Sequence, residues 1–179
     1  MRAWINAIGY QIASLIVIHG AGMGQAWRGI LACAVFVALQ FAFSDSRRGD
    51  LMAMSCAFVI GCVLDGVWSA TGWVEYASPS PAWFAPAWIL ALWVAFAMTF
   101  NHSLRWMRGR PRMAAVLGAV GGPSAYWGAE RVFSAVTLPS PPWFTLAALA
   151  IGWAIAVPLI AHMAAMDPAT RVRRQGATT

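Results

Sequence analysis

Three ionisable residues interrupt otherwise apolar stretches of the chain: Asp65, Glu130 and Arg131. A charge at hydrocarbon depth costs about 2.5–3.5 kcal/mol on insertion scales, so such residues usually face a cavity, a partner or a functional site. Asp65 and Glu130 each stand about seven residues, or about 10 Å of helix, before the outer end of their stretch. His19 lies near the outer end of the first stretch. The sequence therefore predicts these groups at similar depth.

This outer group has two interpretations. In the functional one, Asp65 and Glu130 flank a polar pocket, His19 carries protons and Arg131 binds an anion. In the structural one, Asp65 and Arg131 form a buried ion pair that fixes helix register, and Glu130 is hydrogen-bonded or protonated. Because adjacent helical residues do not share a face, we expect Arg131 to pair with a carboxylate on another helix rather than with Glu130.

A second polar group stands near the inner end of the fourth stretch and contains Asn101, His102 and Arg105. One interpretation is that Arg105 extends to the headgroups while Asn101 bonds to a neighbouring helix. The other is an anion or headgroup site, assisted by three further arginines: Arg108, Arg110 and Arg112. The sequence leaves both open.

The fifth stretch contains glycines and a proline. Gly118 and Gly122 form a small-xxx-small face that favours close helix packing. Pro123 is expected to kink or locally unwind the helix. Tyr126 stands one turn before Glu130 on the same face.

The candidate ligand-binding residues are thus Asp65, Glu130, Arg131, His19, Tyr126, Asn101, His102 and Arg105. No catalytic residue is assigned, and no cofactor is expected. Three cysteines, Cys33, Cys56 and Cys62, all fall in apolar stretches, without disulfide or zinc spacing. We therefore expect no metal site.

Composition places these residues in a membrane protein. Of 179 residues, 60% are hydrophobic and 10% charged, against roughly 45–50% and about 25% in soluble domains. Six apolar stretches of about 20 residues can be laid out: Ala3 to Gly22, Ala26 to Phe43, Leu51 to Gly72, Phe84 to Arg105, Met113 to Val136 and Trp143 to Met163. The sequence predicts an all-α bundle of six transmembrane helices in one domain, residues 1–166, with a disordered polar tail over 167–179. A cleaved signal peptide is the alternative for the first stretch.

The arginines predict the orientation. There are twelve and no lysine, and ten fall on one side of a six-span arrangement. Basic residues gather in cytoplasmic loops, so both termini are expected to be cytoplasmic, in a bacterial inner membrane. No nucleic-acid-binding pattern accompanies the positive charge.

An internal repeat is also visible. Asp65 to Thr71 matches Glu130 to Val136 in spacing, and Pro-Ser-Pro followed by Trp-Phe comes after each segment. The pattern predicts a parallel repeat of helical hairpins, a plan that transporters use.

Two segments, Leu92 to Trp106 and Gly118 to Tyr126, resemble a bacterial multi-pass membrane family catalogued as domain of unknown function 2878. The string Asn-His-Ser-Leu-Arg-Trp at Asn101 to Trp106 is the most specific part. The resemblance implies a compact helical inner-membrane protein with no assigned reaction and no established catalytic residue. Similar proteins are often encoded beside enzymes that modify fatty acyl chains, which implies a link with lipid metabolism.

Three functional hypotheses follow. The preferred one is a protein that binds or moves a lipid-like or small amphiphilic ligand in an intramembrane pocket. The second is a membrane-embedded lipid-modifying enzyme that uses Asp65 or Glu130 with His19 or His102. The third is an accessory subunit that binds a lipid-modifying enzyme through its basic face. The expected partners are membrane lipids, with no nucleic acid, and the oligomeric state stays open.

Overall fold

The computed structural model describes residues 2–77, 84–139 and 141–166. Within these ranges the chain is all-α, with six α-helices and one pair of two-residue strands, and the helices are α1 Arg2–Gly22, α2 Ala26–Ala42, α3 Arg47–Ala70, α4 Ala87–Ala97, α5 Pro111–Phe133 and α6 Trp143–Ala164. The strands are β1 Glu75–Tyr76 and β2 Val136–Thr137. The predicted polar tail and most of the Pro-Ser-Pro segments lie outside the described residues.

Three helices are long and apolar enough to cross a membrane: Ala3–Gly22, Arg47–Ala70 and Trp143–Ala164. Their outer faces carry large apolar side chains, and α1 alone exposes Trp4, Ile5, Ile8 and Ile12. A monomeric water-soluble protein rarely exposes so continuous an apolar surface. The fold therefore indicates a membrane protein.

The fourth helix corrects the sequence prediction of a span from Phe84 to Arg105. α4 ends at Ala97, residues 98–104 form turns, and a short 3-10 turn covers Arg105–Met107. Its 11 residues cover only about 16 Å. One contribution is local, because the Thr99 hydroxyl donates to the Phe96 carbonyl at 2.6 Å. Short polar side chains that bond to nearby backbone compete with the helical pattern.

The fifth helix also departs from expectation. The close-packing face is confirmed, because a Cβ atom on Gly118 would lie 2.3 Å from the Trp153 carbonyl oxygen and one on Gly122 would lie 2.2 Å from Trp153 Cγ. Of the two effects expected at Pro123, local unwinding is wrong, since α5 stays helical through it, and a kink stays a prediction. Proline removes only one backbone hydrogen bond here, and the tight contact with α6 supports the helix on both sides of that gap.

Helix ends alternate between the two ends of the bundle. At one end, β1 pairs antiparallel with β2, and Gly22 closes against the Phe133 carbonyl. The C-terminal ends of α1, α3 and α5 therefore meet. At the other end, Asn6 contacts the Met98 carbonyl and Gly49 lies against Ala164. The start of α1 and the end of α6 thus share that end.

α4 is the most enclosed helix of the described fold. It packs against α1, α2 and α3, while α5 pairs with α6 and α6 with α3. Six of its residues are buried: Trp88, Ile89, Leu90, Trp93, Ala95 and Ala97. The contact between α1 and α5 is slight, and this leaves room beside α4 for the cavity described below.

Candidate functional site

The Asp65 carboxylate is fully buried in α3 and accepts hydrogen bonds from three aromatic side chains. Oδ1 accepts from the Tyr76 hydroxyl at 2.6 Å and from the Tyr126 hydroxyl. Oδ2 accepts from Trp93 Nε1 at 2.7 Å. These four residues, here the Asp65 cluster, join α3, β1, α4 and α5, so one carboxylate links four elements of the bundle.

Tyr76 belongs to this cluster but lies on β1, beyond the end of α3. Burial, followed by the negative charge of the neighbouring Asp65, raises the pKa of Tyr76 well above its ordinary value. Both causes penalise the phenolate. Tyr76 therefore remains a hydrogen-bond donor to the carboxylate.

The indole of Trp93 is held on both faces. It stacks on Trp153 with 4.3 Å between ring centroids and an interplanar angle of 19°. On α3, a Cβ atom on Gly61 would lie 2.5 Å from Trp93 Cδ1, so only glycine admits the ring there. Asp65 and the stack together fix Trp93 in one position.

Trp93 and Tyr126 form part of the wall of a cavity of about 330 Å³ between α1, α4, α5 and α6. Its inner wall is aromatic and includes Tyr10, Trp88, Trp93, Phe96, Tyr126 and Trp153. Its rim includes four exposed residues, Gln11, Leu15, Ser124 and Ala125. The cavity, here called the aromatic cavity, thus reaches the surface between α1 and α5.

Two indole groups of this wall lack hydrogen-bond partners. Nε1 of Trp88 and Nε1 of Trp153 are buried and unpaired among the described residues, although Trp88 is only 1% exposed. Leaving a buried donor unsatisfied costs about 1–3 kcal/mol, so native proteins contain few of them. Because both nitrogens have almost no accessible area, these two N–H groups are enclosed by the surrounding protein rather than open to the cavity.

Glu130 and Arg131 lie apart from the Asp65 cluster. Glu130 Oε1 accepts the Leu138 backbone N–H at 2.8 Å, while Oε2 lies 3.6 Å from Arg131 Nε. The expectation that Arg131 pairs with a carboxylate on another helix, Asp65 in particular, is therefore wrong. α5 ends two residues later, where Ser134 adopts a φ of 51°, and at a helix end two flexible side chains can meet beside the backbone. With Arg131 68% exposed, this ion pair adds little stability.

His19 is exposed on α1. Its ring meets Phe133 edge-on, with 6.2 Å between centroids. Of the predicted outer residues, the described contacts thus bring together Asp65 and Tyr126, while His19 and Glu130 contact other groups.

A second buried carboxylate, Asp50, stands in the first turn of α3. Its Oδ1 accepts from Asn101 Nδ2 at 2.8 Å, and its Oδ2 accepts from the Ser44 hydroxyl. His102 Nε2 lies 3.5 Å from Oδ2, which is longer than an ordinary hydrogen bond. These residues form the Asp50 cluster, and Arg108 extends it by donating to Asn101 Oδ1 at 2.5 Å.

Beside this cluster, buried Asn6 links α1 to α2 and to the turn after α4. Its Nδ2 donates to Gln40 Oε1 at 2.9 Å and to the Met98 carbonyl at 3.3 Å. Its Oδ1 accepts from the Ser103 hydroxyl at 2.6 Å. The Met98 carbonyl and the polar side chains that follow the end of α4 therefore have hydrogen-bond partners on α1 and α3. Arg105, predicted in this group, is exposed.

Sequence reasoning missed the most connected residues of both clusters. Asp50 stands one position before the predicted third stretch, and Tyr76 stands after the end of that stretch. A hydropathy pattern counts three tryptophans of the site as apolar: Trp88, Trp93 and Trp153. It therefore does not show that their side chains also carry N–H groups. Among the described residues, no set of three or more histidine, cysteine or acidic side chains is arranged to bind a metal.

Residues 3–159 match the model of a family described as "Protein of unknown function (DUF2878)". This range contains both clusters and every residue of the aromatic cavity. No curated protein and no solved structure matches the chain.

Proposed function

We propose that this chain, which belongs to the DUF2878 family of proteins of unknown function, binds a lipid-like or small amphiphilic ligand in the aromatic cavity. The family assignment confirms the resemblance seen at Asn101 to Trp106. The ligand itself is inferred from the geometry of the site.

The cavity is the observation that carries the proposal. A volume of about 330 Å³ lies within the usual range of small-molecule sites, about 300–1,000 Å³. Such sites are mostly apolar with a few placed polar groups, which matches an aromatic wall that also contains Tyr10, Gln11 and Ser124. Asp65 serves as a positioning residue, since it holds Trp93 and Tyr126 in that wall.

The position of the opening supports entry from the bilayer. The rim lies between α1 and α5, where Leu15 is 43% exposed on a helix that is apolar enough to span a membrane. Gln11 and Ser124 add polar groups to the same rim. A ligand with an apolar chain and a small polar group can therefore enter laterally without crossing water.

The enzyme alternative receives less support from the same contacts. Acid-base chemistry would need Asp65 or Glu130 within reach of a histidine. In the described residues, His19 packs on Phe133 and His102 faces Asp50. Both oxygens of Asp65 already accept hydrogen bonds. This arrangement suits a fixed wall better than a proton-transfer group.

The accessory-subunit alternative rests on the arginines at the Asp50 end, where Arg105 and Arg110 are exposed. A basic face of this kind also attracts anionic lipid. Cross-linking from positions 108 to 112 that recovers a protein neighbour would favour it. Because of the arginine bias, we propose that this end faces the cytoplasm of a bacterium, with the chain in the inner membrane.

Six spans with a parallel hairpin repeat remain our proposal for the topology. The antiparallel pairing of β1 with β2 supports it, because these strands follow α3 and α5, the first helices of the two proposed repeats. The alternation of helix ends agrees with the same plan.

Native mass spectrometry of the detergent-purified protein tests the function. We expect a retained lipid of defined mass. In Gly128→Leu we expect that retention to fall, because Gly128 lines the cavity and a Cβ atom there meets nothing within 4 Å. The matched control is Gly121→Leu, two turns away on α5, which has equally open space and does not line the cavity. A protein without ligand across many lipid extracts, or equal retention in both variants, would contradict the proposal.

A further inference from the structure

We infer that a groove between α2 and α3, with α4 as its floor, binds one acyl chain of an anionic phospholipid whose phosphate pairs with the Arg47 guanidinium. The groove has a volume of about 560 Å³ and shares no residue with the aromatic cavity. It is therefore a second lipid site, independent of the proposed function. The inference depends on the lining of the groove, its length and the charge at its end.

The lining of the groove suits a hydrocarbon chain. α2 and α3 both pack against α4 and form the two walls, while the small residues Ala87 and Ala91 keep the floor on α4 low. Every lining residue is apolar. A polar headgroup therefore finds no partner inside the groove, and its place is at an end.

The length of the groove matches one leaflet of a bilayer. Ile30 and Phe41 bound the α2 wall, and the helix between them rises about 16 Å at about 1.5 Å per residue. The hydrocarbon core of a bilayer is about 30 Å thick, so one leaflet accounts for about 15 Å. An acyl chain in the groove thus belongs to a lipid of one leaflet, with its headgroup beside Phe41.

Arg47 stands at that headgroup end. Its Cζ lies 6.0 Å from the centroid of the Phe41 ring, and Leu51, which lines the other wall, follows one turn later on α3. Arg47 is exposed, and its Nη2 donates to the Ala42 carbonyl at 3.1 Å, which uses one of the five N–H donors of a guanidinium. The other donors suit a phosphate, which guanidinium groups bind through paired N–H groups.

The charge around Arg47 favours an anionic lipid over a zwitterionic one. Asp45, Arg47 and Arg48 are exposed and together carry one positive charge. Asp50 in the next turn is buried, and Arg108 of the same cluster balances its charge. A headgroup with an ammonium brings a further cation to this positive site, whereas an uncharged glycerol leaves the full negative charge of the phosphate to pair.

Three lipids with identical acyl chains test the headgroup: phosphatidylglycerol, phosphatidylcholine and diacylglycerol. Each is titrated into the delipidated full chain in detergent, and native mass spectrometry measures the bound fraction. We expect phosphatidylglycerol to bind about fivefold more tightly than phosphatidylcholine, as one net basic residue at a membrane surface allows. Diacylglycerol, which lacks the phosphate, should bind at least about tenfold more weakly than phosphatidylglycerol.

Variants of Arg47 test its pairing with the phosphate. Arg47→Gln should weaken phosphatidylglycerol binding about fivefold and leave diacylglycerol binding unchanged. Arg47→Lys, which keeps the charge, should keep the preference for phosphatidylglycerol over phosphatidylcholine. Arg112→Gln is the matched control, because it removes one exposed charge at the same end of the bundle from α5, which contributes no residue to the groove. A purely structural role of Arg47 would instead weaken the binding of all three lipids.

A variant that fills the groove tests the place of the acyl chain. Ala38 is an exposed residue of the α2 wall, and Ala38→Phe should weaken the binding of all three lipids. The control is Ala147→Phe, at an equally exposed alanine on α6, a helix that does not line the groove. Gly128→Leu, which narrows the aromatic cavity, should leave phosphatidylglycerol binding unchanged.

Three results would overturn the inference. The first is equal binding of phosphatidylglycerol and phosphatidylcholine, with Arg47→Gln no different from Arg112→Gln. The second is phosphatidylglycerol binding that survives Ala38→Phe. The third is a dimer in the mass spectrum that Ala38→Phe dissociates, since a second copy of the chain would then occupy the groove. None of these results affects the aromatic cavity, whose own test is Gly128→Leu.

Discussion

The two buried carboxylates of α3 are matched in burial but differ in their surroundings. Asp50 and Asp65 are both fully buried, and each is contacted by three side chains. Asp65 receives two phenols and an indole, whereas Asp50 contacts Ser44, Asn101 and His102. Two of the aromatic donors, Trp93 and Tyr126, also line a cavity, while the small polar donors join the turns at one end of the bundle. Hydrogen bonding to a buried acid thus positions a cavity wall in one region and fixes helix ends in the other.

Position along the helix adds a second difference. The two acids lie about 22 Å apart along α3, at a rise of about 1.5 Å per residue. Asp50 lies in the first turn of α3, where exposed backbone N–H groups favour an anion. Asp65 stands in the second half of the helix, which ends at Ala70, and gains no such help. The stabilisation of its carboxylate must therefore come from its three aromatic donors.

The largest expected effect follows from Asp65→Ala. The change leaves Tyr76, Tyr126 and Trp93 as buried donors without an acceptor, and we expect unfolding in detergent to require about 3–5 kcal/mol less. Because two of these side chains form the cavity wall, ligand retention in native mass spectrometry should be lost as well. An unchanged thermal midpoint would show that the cluster does not form in solution.

Asp50→Ala should have a smaller and different effect. The two donors to Asp50, Ser44 and Asn101, are only half-buried and can recover hydrogen bonds from water, so we expect a loss of about 1–3 kcal/mol. The cavity contains no residue of the Asp50 cluster, and ligand retention should persist. Loss of the ligand in this variant would remove the distinction between the two regions.

Gly122→Ala tests the packing that supports the cavity wall. The added methyl would lie 2.2 Å from Trp153 Cγ, so Trp153 must move, at a cost of about 1–3 kcal/mol. We expect lower ligand retention together with a lower thermal midpoint.

The matched variant is Gly121→Ala, one residue away, where an added Cβ meets nothing within 4 Å. Replacing a helical glycine by alanine there should stabilise the protein by up to about 1 kcal/mol. Equal midpoints in the two variants would contradict the close α5–α6 contact.

Much of the helical arrangement was readable from the sequence. Long apolar runs predict helices directly, and the predicted stretch from Ala3 to Gly22 differs from α1 by one residue. The prediction for the fourth stretch was wrong because its last residues are apolar enough on average to be predicted as helix. Whether the helix ends there also depends on partners in α3 and α1, Asp50 for Asn101 and Asn6 for Ser103, which no local pattern specifies.

The site was readable only in part. Asp65 and Tyr126 drew attention as polar groups within apolar runs, and the structure joins them. Their partners Trp93 and Tyr76 were not predicted as site residues, because an indole or a phenol suits the membrane interface as well as a buried hydrogen bond. The Arg131 pairing failed for a related reason, since the helix-face rule does not apply where α5 ends.

Tyr76→Phe gives the smallest expected effect, because Asp65 keeps two donors and one hydrogen bond is worth about 1 kcal/mol. The raised pKa of Tyr76 also predicts a pH signature. An unfolded tyrosine ionises near about pH 10, so the stabilisation from the buried phenol is complete below that pH and is lost as pH rises through the raised folded value. The advantage of wild type over Tyr76→Phe should therefore shrink only above about pH 10.

Absorbance at the tyrosinate band checks the same residue directly. Just above about pH 10, the absorbance spectrum of folded wild type minus that of folded Tyr76→Phe should show no tyrosinate band. The band should appear in the same difference spectrum when detergent and denaturant unfold both proteins. Tyrosinate from Tyr76 in the folded protein at that pH would mean that its hydroxyl reaches water. The Asp65 cluster would then be accessible to water at its β1 side, and the contrast between the surroundings of Asp65 and those of Asp50 would be lost.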